Sequence, residues 1–179
     1  MDARADTLAL TQAFGVGRGT VEVFSIAAPG AGVQFTRTTV QGYWERILSM
    51  FFLLTTSAAV ANRQVAVEVQ DGDGNVLGGA AAGQVQAASL AGRYYAGWSM
   101  SNTSAAAPIR QSLALPPMFL QPSWKIVSNV AALDAGDTIT LIRGVVERFG
   151  IGADGTPVGE VQPVYNERGE GYARQLESE

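Results

Sequence analysis

Between residues 20 and 148 the apolar side chains recur with period two in short runs, and turn-forming residues cut those runs at intervals of roughly 10 to 15 residues. Successive side chains on a strand point to opposite faces, so this pattern describes half-buried strands; no segment shows a convincing amphipathic helix. Residues 20–27, rich in Val, Phe and Ile, form the first run, and Pro29-Gly30-Ala31-Gly32 turns the chain. In 33–39, Val33, Phe35, Arg37 and Thr39 share a face. Val65, Val67 and Val69 alternate with Gln64, Ala66, Glu68 and Gln70. Asp71-Gly72-Asp73-Gly74-Asn75 then makes a tight turn, and Val76-Leu77 opens the return strand, the strongest hairpin signal in the chain. Residues 78–92 read as loop or a weak edge strand, and 101–108 as a polar loop. Tyr94, Ala96, Trp98 and Met100 alternate in 93–100; Ile109, Gln111, Leu113 and Leu115 do so in 109–115, and Trp124, Ile126, Ser128 and Val130 in 124–130. Ala135-Gly136-Asp137 is a turn, and 138–148 the last core strand, with Ile139, Leu141 and Val145 opposite Ile142 and Val146.

The apolar stretch 43–56 is compatible with either period. As a strand, it sets Trp44, Leu48, Met50, Phe52 and Leu54 on one face, interrupted by Arg46, and Tyr43, Ile47, Phe51 and Leu53 on the other with Glu45 and Ser49. Its aromatics, its terminal Thr55-Thr56 and the strands on either side favour strand. The sum is about eight to ten short strands, which predicts an antiparallel β-sandwich, jelly-roll-like if eight of them close into two sheets. The chain of 179 residues is long enough for one domain with a real core. We divide it into an N-terminal arm (1–19), a β-sandwich (20–149) and an acidic, Gly/Pro-containing extended tail (150–179).

Composition narrows the chemistry. There is no cysteine, hence no disulfide or thiolate metal site, and no histidine, the commonest metal ligand and neutral-pH general base. The net charge is −4, and all of it lies in 150–179, where Arg168 and Arg174 face Asp154, Glu160, Glu167, Glu170, Glu177 and Glu179; residues 1–149 are neutral. A nucleic-acid binder would carry a basic patch, so no nucleic-acid partner is expected. The first residues, Met1 to Asp6, lack the cationic and apolar regions of a signal peptide. The run from Ile47 to Val60 falls short of the roughly 20 residues that cross a bilayer, so no membrane partner is expected either.

Each chemical signal has a plainer reading. Asp71-x-Asp73-x-Asn75 matches the opening of a calcium loop, but Val76 stands where that loop wants Gly and Ala82 where it wants Glu, so a hairpin turn is the better reading. Gly15-Val16-Gly17-Arg18-Gly19 lacks the flanking strand, helix and third glycine of a dinucleotide site. Glu45, Glu68, Asp134 and Asp137 could pair for glycoside hydrolysis, yet nothing in the sequence pairs them, and they read as solvated charges. Lys125 is the single lysine that could activate a serine. Tyr94, Tyr95, Trp98 and Trp124 suit a sugar platform or, more simply, a core. Asn102-Thr103-Ser104 is a formal glycosylation sequon. We therefore expect no enzyme: catalytic residues none, metal none, cofactor none.

The run from Gly42 to Arg63, ending in Thr56-Ser57-Ala58-Ala59-Val60-Ala61-Asn62-Arg63, leads into Val65-x-Val67-x-Val69-x-Asp71-Gly72-Asp73-Gly74. It resembles a module of tailed-bacteriophage virion proteins in which a strand ending "T-S-A-x-V-A-N-R" feeds one ending "D-G-x-G". A later "L-P-P" and "G-D" are matched by Leu115-Pro116-Pro117 and Gly136-Asp137. The resemblance covers about 42–148 and implies a jelly-roll-like structural protein of the capsid surface, neck or tail. It implies assembly in the bacterial host cytoplasm, a homo-oligomer, and other virion proteins (major capsid, portal/neck or tail protein) as partners; it supplies no functional residues. The alternative is a receptor- or carbohydrate-binding module of a phage tail or fibre. An arm and tail suit either, since an extended segment can add a strand to a neighbour's sheet.

Overall fold

The computed structural model describes residues 19–98, 100–105 and 109–151 in full, and the backbone alone of 106, 157–158, 163–165 and 171–173. The expected arm, Gly19 excepted, lies outside the described residues. The strands are β1 (Thr20–Ile26), β2 (Thr36–Thr38), β3 (Tyr43–Thr55), β4 (Gln64–Gln70), β5 (Val76–Ala81), β6 (Ala91–Gly97), β7 (Thr103–Ala106), β8 (Ile109–Ala114), β9 (Lys125–Ala131), β10 (Thr138–Ile151), β11 (Pro157–Val158), β12 (Pro163–Tyr165) and β13 (Gly171–Ala173). One sheet runs β1-β10-β3-β6-β8-β7, with β11 also on β10; the other runs β2-β9-β4-β5, and β12 pairs with β13. Without β7, β8 and β11, two four-stranded antiparallel sheets remain, β1-β10-β3-β6 and β2-β9-β4-β5. The chain passes between them after β1, β2, β3, β5, β6 and β9, which is the winding of an eight-stranded jelly roll. The expected β-sandwich is therefore present, in that topology.

The β7–β8 hairpin extends the larger sheet, with β8 parallel to β6. Residues 103–106 were expected as loop. They form an outermost strand whose Thr103, Ser104 and Ala105 are exposed, so no buried face prints an alternation on the sequence.

Phe52 sits at the centre of the core, between Phe35 of the smaller sheet (ring centroids 5.2 Å) and Tyr94 of its own (5.3 Å, stacked). Met50, Phe52 and Leu54 point inward as expected, but Leu48 does not continue the row. The β3–β10 register shifts between Val145 and Val146, where the partner changes from Ser49 to Ile47. Leu48 is the extra residue, and beyond it Ile47 and Glu45 take the inner face, correcting the strict alternation. A second shift lies between Thr140 and Arg143: Ile139 and Ile142 are both buried, while Leu141 turns outward at φ 53° and is 52% exposed. Next to it, Gly144 admits the Phe24 ring of β1; a Cβ there would come within 2.5 Å of that ring.

Truncating Phe52 to Ala leaves a void between two rings and is expected to cost about 3–5 kcal/mol in urea unfolding. Val60→Ala, at a residue 98% exposed, is expected to change stability by less than about 0.5 kcal/mol in the same assay.

Candidate functional site

The charged side chains that matter most are inside. Arg63 lies just ahead of β4 in the smaller sheet and Asp137 just ahead of β10 in the larger one, and both are fully buried. Arg63 Nε donates to Asp137 Oδ2 (2.9 Å) and Nη2 to Oδ1 (3.0 Å). Arg63 Nη1 donates to the carbonyls of Ala59 and Ala61, each at 2.8 Å, so this guanidinium shapes the loop between β3 and β4 from within. The Asp137 carboxylate also accepts from the amides of Ser57 (2.7 Å) and Asp134 (2.8 Å). Asp134 Oδ1 accepts from Ser57 Oγ (2.8 Å) and the Gly136 amide (2.9 Å). Burial alone would raise the Asp137 carboxyl; the bonds from Arg63 and the two amides outweigh it and hold it at about 2.

A second network ties the sheets together at the opposite end. Glu45 of β3, fully buried, pairs with Arg37 of β2 and with Arg148 Nε of β10 (2.7 Å), and Arg148 reaches Glu22 of β1. Burial pushes the Glu45 carboxyl up, but Arg37 and Arg148 prevail and it stays below its ordinary value. Buried Glu147 pairs with Arg46, and its other oxygen accepts from the Gly19 amide (3.2 Å). The Arg46 guanidinium lies 4.8 Å from the Trp98 ring and 5.3 Å from Phe119.

Glu45 and Asp137 are thus not the solvated charges the sequence suggested. Alternation and composition do not single out Arg63 and Arg148, which hold them. A signal existed for one pair: Arg63 closes the "T-S-A-x-V-A-N-R" stretch and Asp137 closes the "G-D" stretch. The other candidates do not converge. Asp71 Oδ1 accepts from the amides of Asp73 (2.9 Å) and Asn75 (2.8 Å), and Oδ2 from the Asn75 side chain, which is turn chemistry. Tyr94 is buried and its hydroxyl donates to Gln86 (2.8 Å), whereas Tyr95 points to the other face and packs on Phe51 (5.2 Å). Trp124 packs against the core from the smaller sheet's side, and Trp98 covers Arg46, so the four aromatics form no common platform. Lys125 Nζ donates to the Gly72 carbonyl, and Asn102 Oδ1 accepts from the Ala114 amide. The Gly15–Gly19 stretch lies, but for Gly19, outside the described residues. Among the described residues no three of Asp, Glu, His or Cys gather as metal ligands, and no helix is long and apolar enough to cross a membrane.

The outer face of the larger sheet is accessible. Val21 (55% exposed) and Val23 (80%) project from β1, level with Glu147 and half-buried Val145 on β10. Ser49, Phe51 and Leu53 of β3 and Tyr95 of β6 continue that face, all half-buried. Arg143, Arg93 and Arg110 frame it.

No protein-family model matches the chain, and no curated protein matches it. Among solved structures, a chain in a structure of the infectious bursal disease virus Gx strain is similar at a TM-score of 0.32 and 11% identity, covering 76% of this chain and 33% of that one. A chain of the Gt strain of the same virus is similar at 0.24 and 13%, covering 73% and 33%. This chain spans about a third of the length of either. The jelly roll is read from the strand order above, not from likenesses this loose.

Removing one partner of the Arg63–Asp137 pair strands a buried charge, so Arg63→Ala and Asp137→Asn are each expected to cost about 3–5 kcal/mol in urea unfolding, and the double variant R63M/D137L less than their sum. Asp137 titrates lower in the folded chain than its ordinary 3.8, so its stabilisation is present above pH 4 and lost as pH falls from about 4 toward 2. Unfolding midpoints measured across that window should fall for the parent chain and flatten in R63M/D137L.

Proposed function

We propose that this chain is a structural component of a virus particle that works by protein–protein contact through the outer face of its larger sheet. We further propose that the particle is a tailed phage, where the chain serves as capsid decoration or head-to-tail neck protein beside other virion proteins or further copies of itself. The observation that carries this reading is the direction of its chemistry. Of the acids that could have formed a reactive centre, Glu45 and Asp137 are buried and neutralised by arginines that tie strands together, as is Glu147. The surface instead offers a sheet face with Val21, Val23 and Leu141 exposed. Exposed apolar surface without a pocket of converging polar groups suits a protein partner better than a small substrate. The jelly roll is a frequent architecture of capsid subunits, though it also serves lectins, so fold alone does not decide. The dispersal of Tyr94, Tyr95, Trp98 and Trp124 removes the support for a glycan platform.

Virions purified to constant density from infected cells should contain the chain at fixed stoichiometry by quantitative mass spectrometry. Val21→Lys with Val23→Lys should leave the unfolding midpoint within about 2 °C, since both side chains are exposed, and reduce the chain's content in particles at least tenfold. A chain found only in the lysate and never in particles would overturn the reading.

A further inference from the structure

The arginines of the described residues fall into two groups. Arg37, Arg46, Arg63 and Arg148 are ion-paired with Glu45, Glu147, Asp137 and Glu22. Arg93, Arg110 and Arg143 are exposed, make no ion pair with any described residue, and all project from the outer face of the larger sheet. The acid that β10 places on that face, Glu147, is buried and already paired with Arg46. Exposed Asp73 lies elsewhere, in the turn between β4 and β5 of the other sheet. The described part of this face therefore carries uncompensated positive charge.

The pairing register sets the charge out in two rows. Arg143 of β10, Phe51 of β3 and Tyr95 of β6 stand side by side in one. Leu53 of β3, Arg93 of β6 and Arg110 of β8 stand side by side in the next. Phe51, Leu53 and Tyr95 are half-buried, and the Phe51 and Tyr95 rings pack on each other at 5.2 Å. Neighbouring strands lie about 4.8 Å apart and neighbouring rows about 7 Å, so Arg143 is about 14 Å from the Arg93–Arg110 pair, with the three apolar side chains between. Like charges directly opposite on adjacent strands repel, so the Arg93–Arg110 pair is costly unless an anion covers it.

These spacings select a ligand. In an extended segment, residues i, i+2 and i+4 share a face, and the first and last lie about 14 Å apart. Acid, apolar and acid at those positions put one carboxylate on Arg143, one between Arg93 and Arg110, and the apolar side chain over Phe51, Leu53 and Tyr95. Single-stranded nucleic acid instead stacks its bases on free aromatic faces, whereas the Phe51 and Tyr95 rings are turned on each other at 41°.

We infer that this face binds an extended acidic segment of another protein, of the pattern acid-x-apolar-x-acid, with its carboxylates on Arg143 and on the Arg93–Arg110 pair. Such binding rests on the proposal that the outer face of the larger sheet is a protein-contact surface, but not on the partner's belonging to a virus particle.

The test is titration of the isotope-labelled full chain with synthetic heptapeptides, followed by NMR amide shifts. The probe carries glutamates at its second and sixth positions, a tyrosine at its fourth, and serine or glycine elsewhere. At about 0.05 M salt it should bind with a dissociation constant of about 1 mM or below, its shifts centred on Phe51, Leu53, Tyr95 and the three arginines. Moving one glutamate a single position, to the other face of the peptide, should weaken binding about fivefold, and R93E/R110E/R143E should weaken it about tenfold. The three arginines are exposed, so an unchanged far-UV spectrum and unfolding midpoint of the triple variant verify its fold. A probe with lysines for glutamates should bind that variant and not the parent chain. No shift at those residues, or binding indifferent to the arginines or to the glutamate spacing, would overturn the inference. Arginine-dependent binding of a short oligothymidine more tightly than the probe would assign the face to nucleic acid and overturn it too. So would concentration-dependent shifts at the same residues without any probe, which assign the face to a second copy. Peptide binding and particle content are separate measurements: a chain absent from particles can still bind the probe, and a chain present in them can fail to.

Discussion

The interaction on which the rest of this structure leans is the buried pair between Arg63 and Asp137. Both ions are withdrawn from water, a state that costs several kcal/mol per ion unless nearly every donor and acceptor is matched. The match is close: Arg63 places Nε and Nη2 on the carboxylate and Nη1 on two backbone carbonyls, and the carboxylate takes two amides besides. Such an arrangement contributes less to raw stability than a packed apolar substitute could. It contributes geometry. It joins the loop after β3 to the turn before β10, and the Asp137 carbonyl accepts from the Gly32 amide in the loop after β1. Arg63 and Asp137, through side chains and backbone together, therefore tie three of the connections by which the chain crosses between sheets.

The opposite end is closed by charge as well, with Arg37 supplied by the smaller sheet and Glu45, Arg148 and Glu22 by the larger one. Between the two ends the sandwich is apolar, with Phe35, Phe52 and Tyr94 as its centre. A sandwich of two hydrophobic faces can slide by a strand pair at little cost in buried area. Charges at both ends forbid the slide, because displacement by one residue would leave a buried ion without its partner.

How much of this the sequence discloses depends on whether a feature repeats or occurs once. Alternation is repetitive, so β4, β9 and most of β3, β6, β8 and β10 are legible, and the expected sandwich follows from them. The bulges at Leu48 and Leu141 are single events that shift the pattern by one residue, and strict alternation misassigns Ile47, Glu45 and Leu141 for that reason. β7 has no buried side and leaves no pattern at all. The ion pairs are less legible still. Glu45 and Arg148 are more than a hundred residues apart, and nothing local distinguishes a carboxylate that will be buried from one that will be solvated. The Asp71 turn shows the converse: its partners lie within four residues, so the local sequence is a sufficient guide.

The separation of charges follows from the same economy. Each buried carboxylate needs a cation with several donors, and arginine, with five N–H groups in a fixed fork, satisfies one carboxylate and a carbonyl or amide nearby at once. A chain with eleven arginines and one lysine is suited to that task. Once the interior has claimed Arg37, Arg46, Arg63 and Arg148, the cations left over in the described residues stand mostly on one sheet face, and half of the acids left over in the sequence lie in its last thirty residues. A neutral body with an acidic end is then not an absence of electrostatics. Its internal pairs are fixed by desolvation and respond little to salt, whereas the charges at its surface are solvent-accessible and are screened strongly. Ionic strength is consequently the variable that separates the forces holding this fold from those available to its surface.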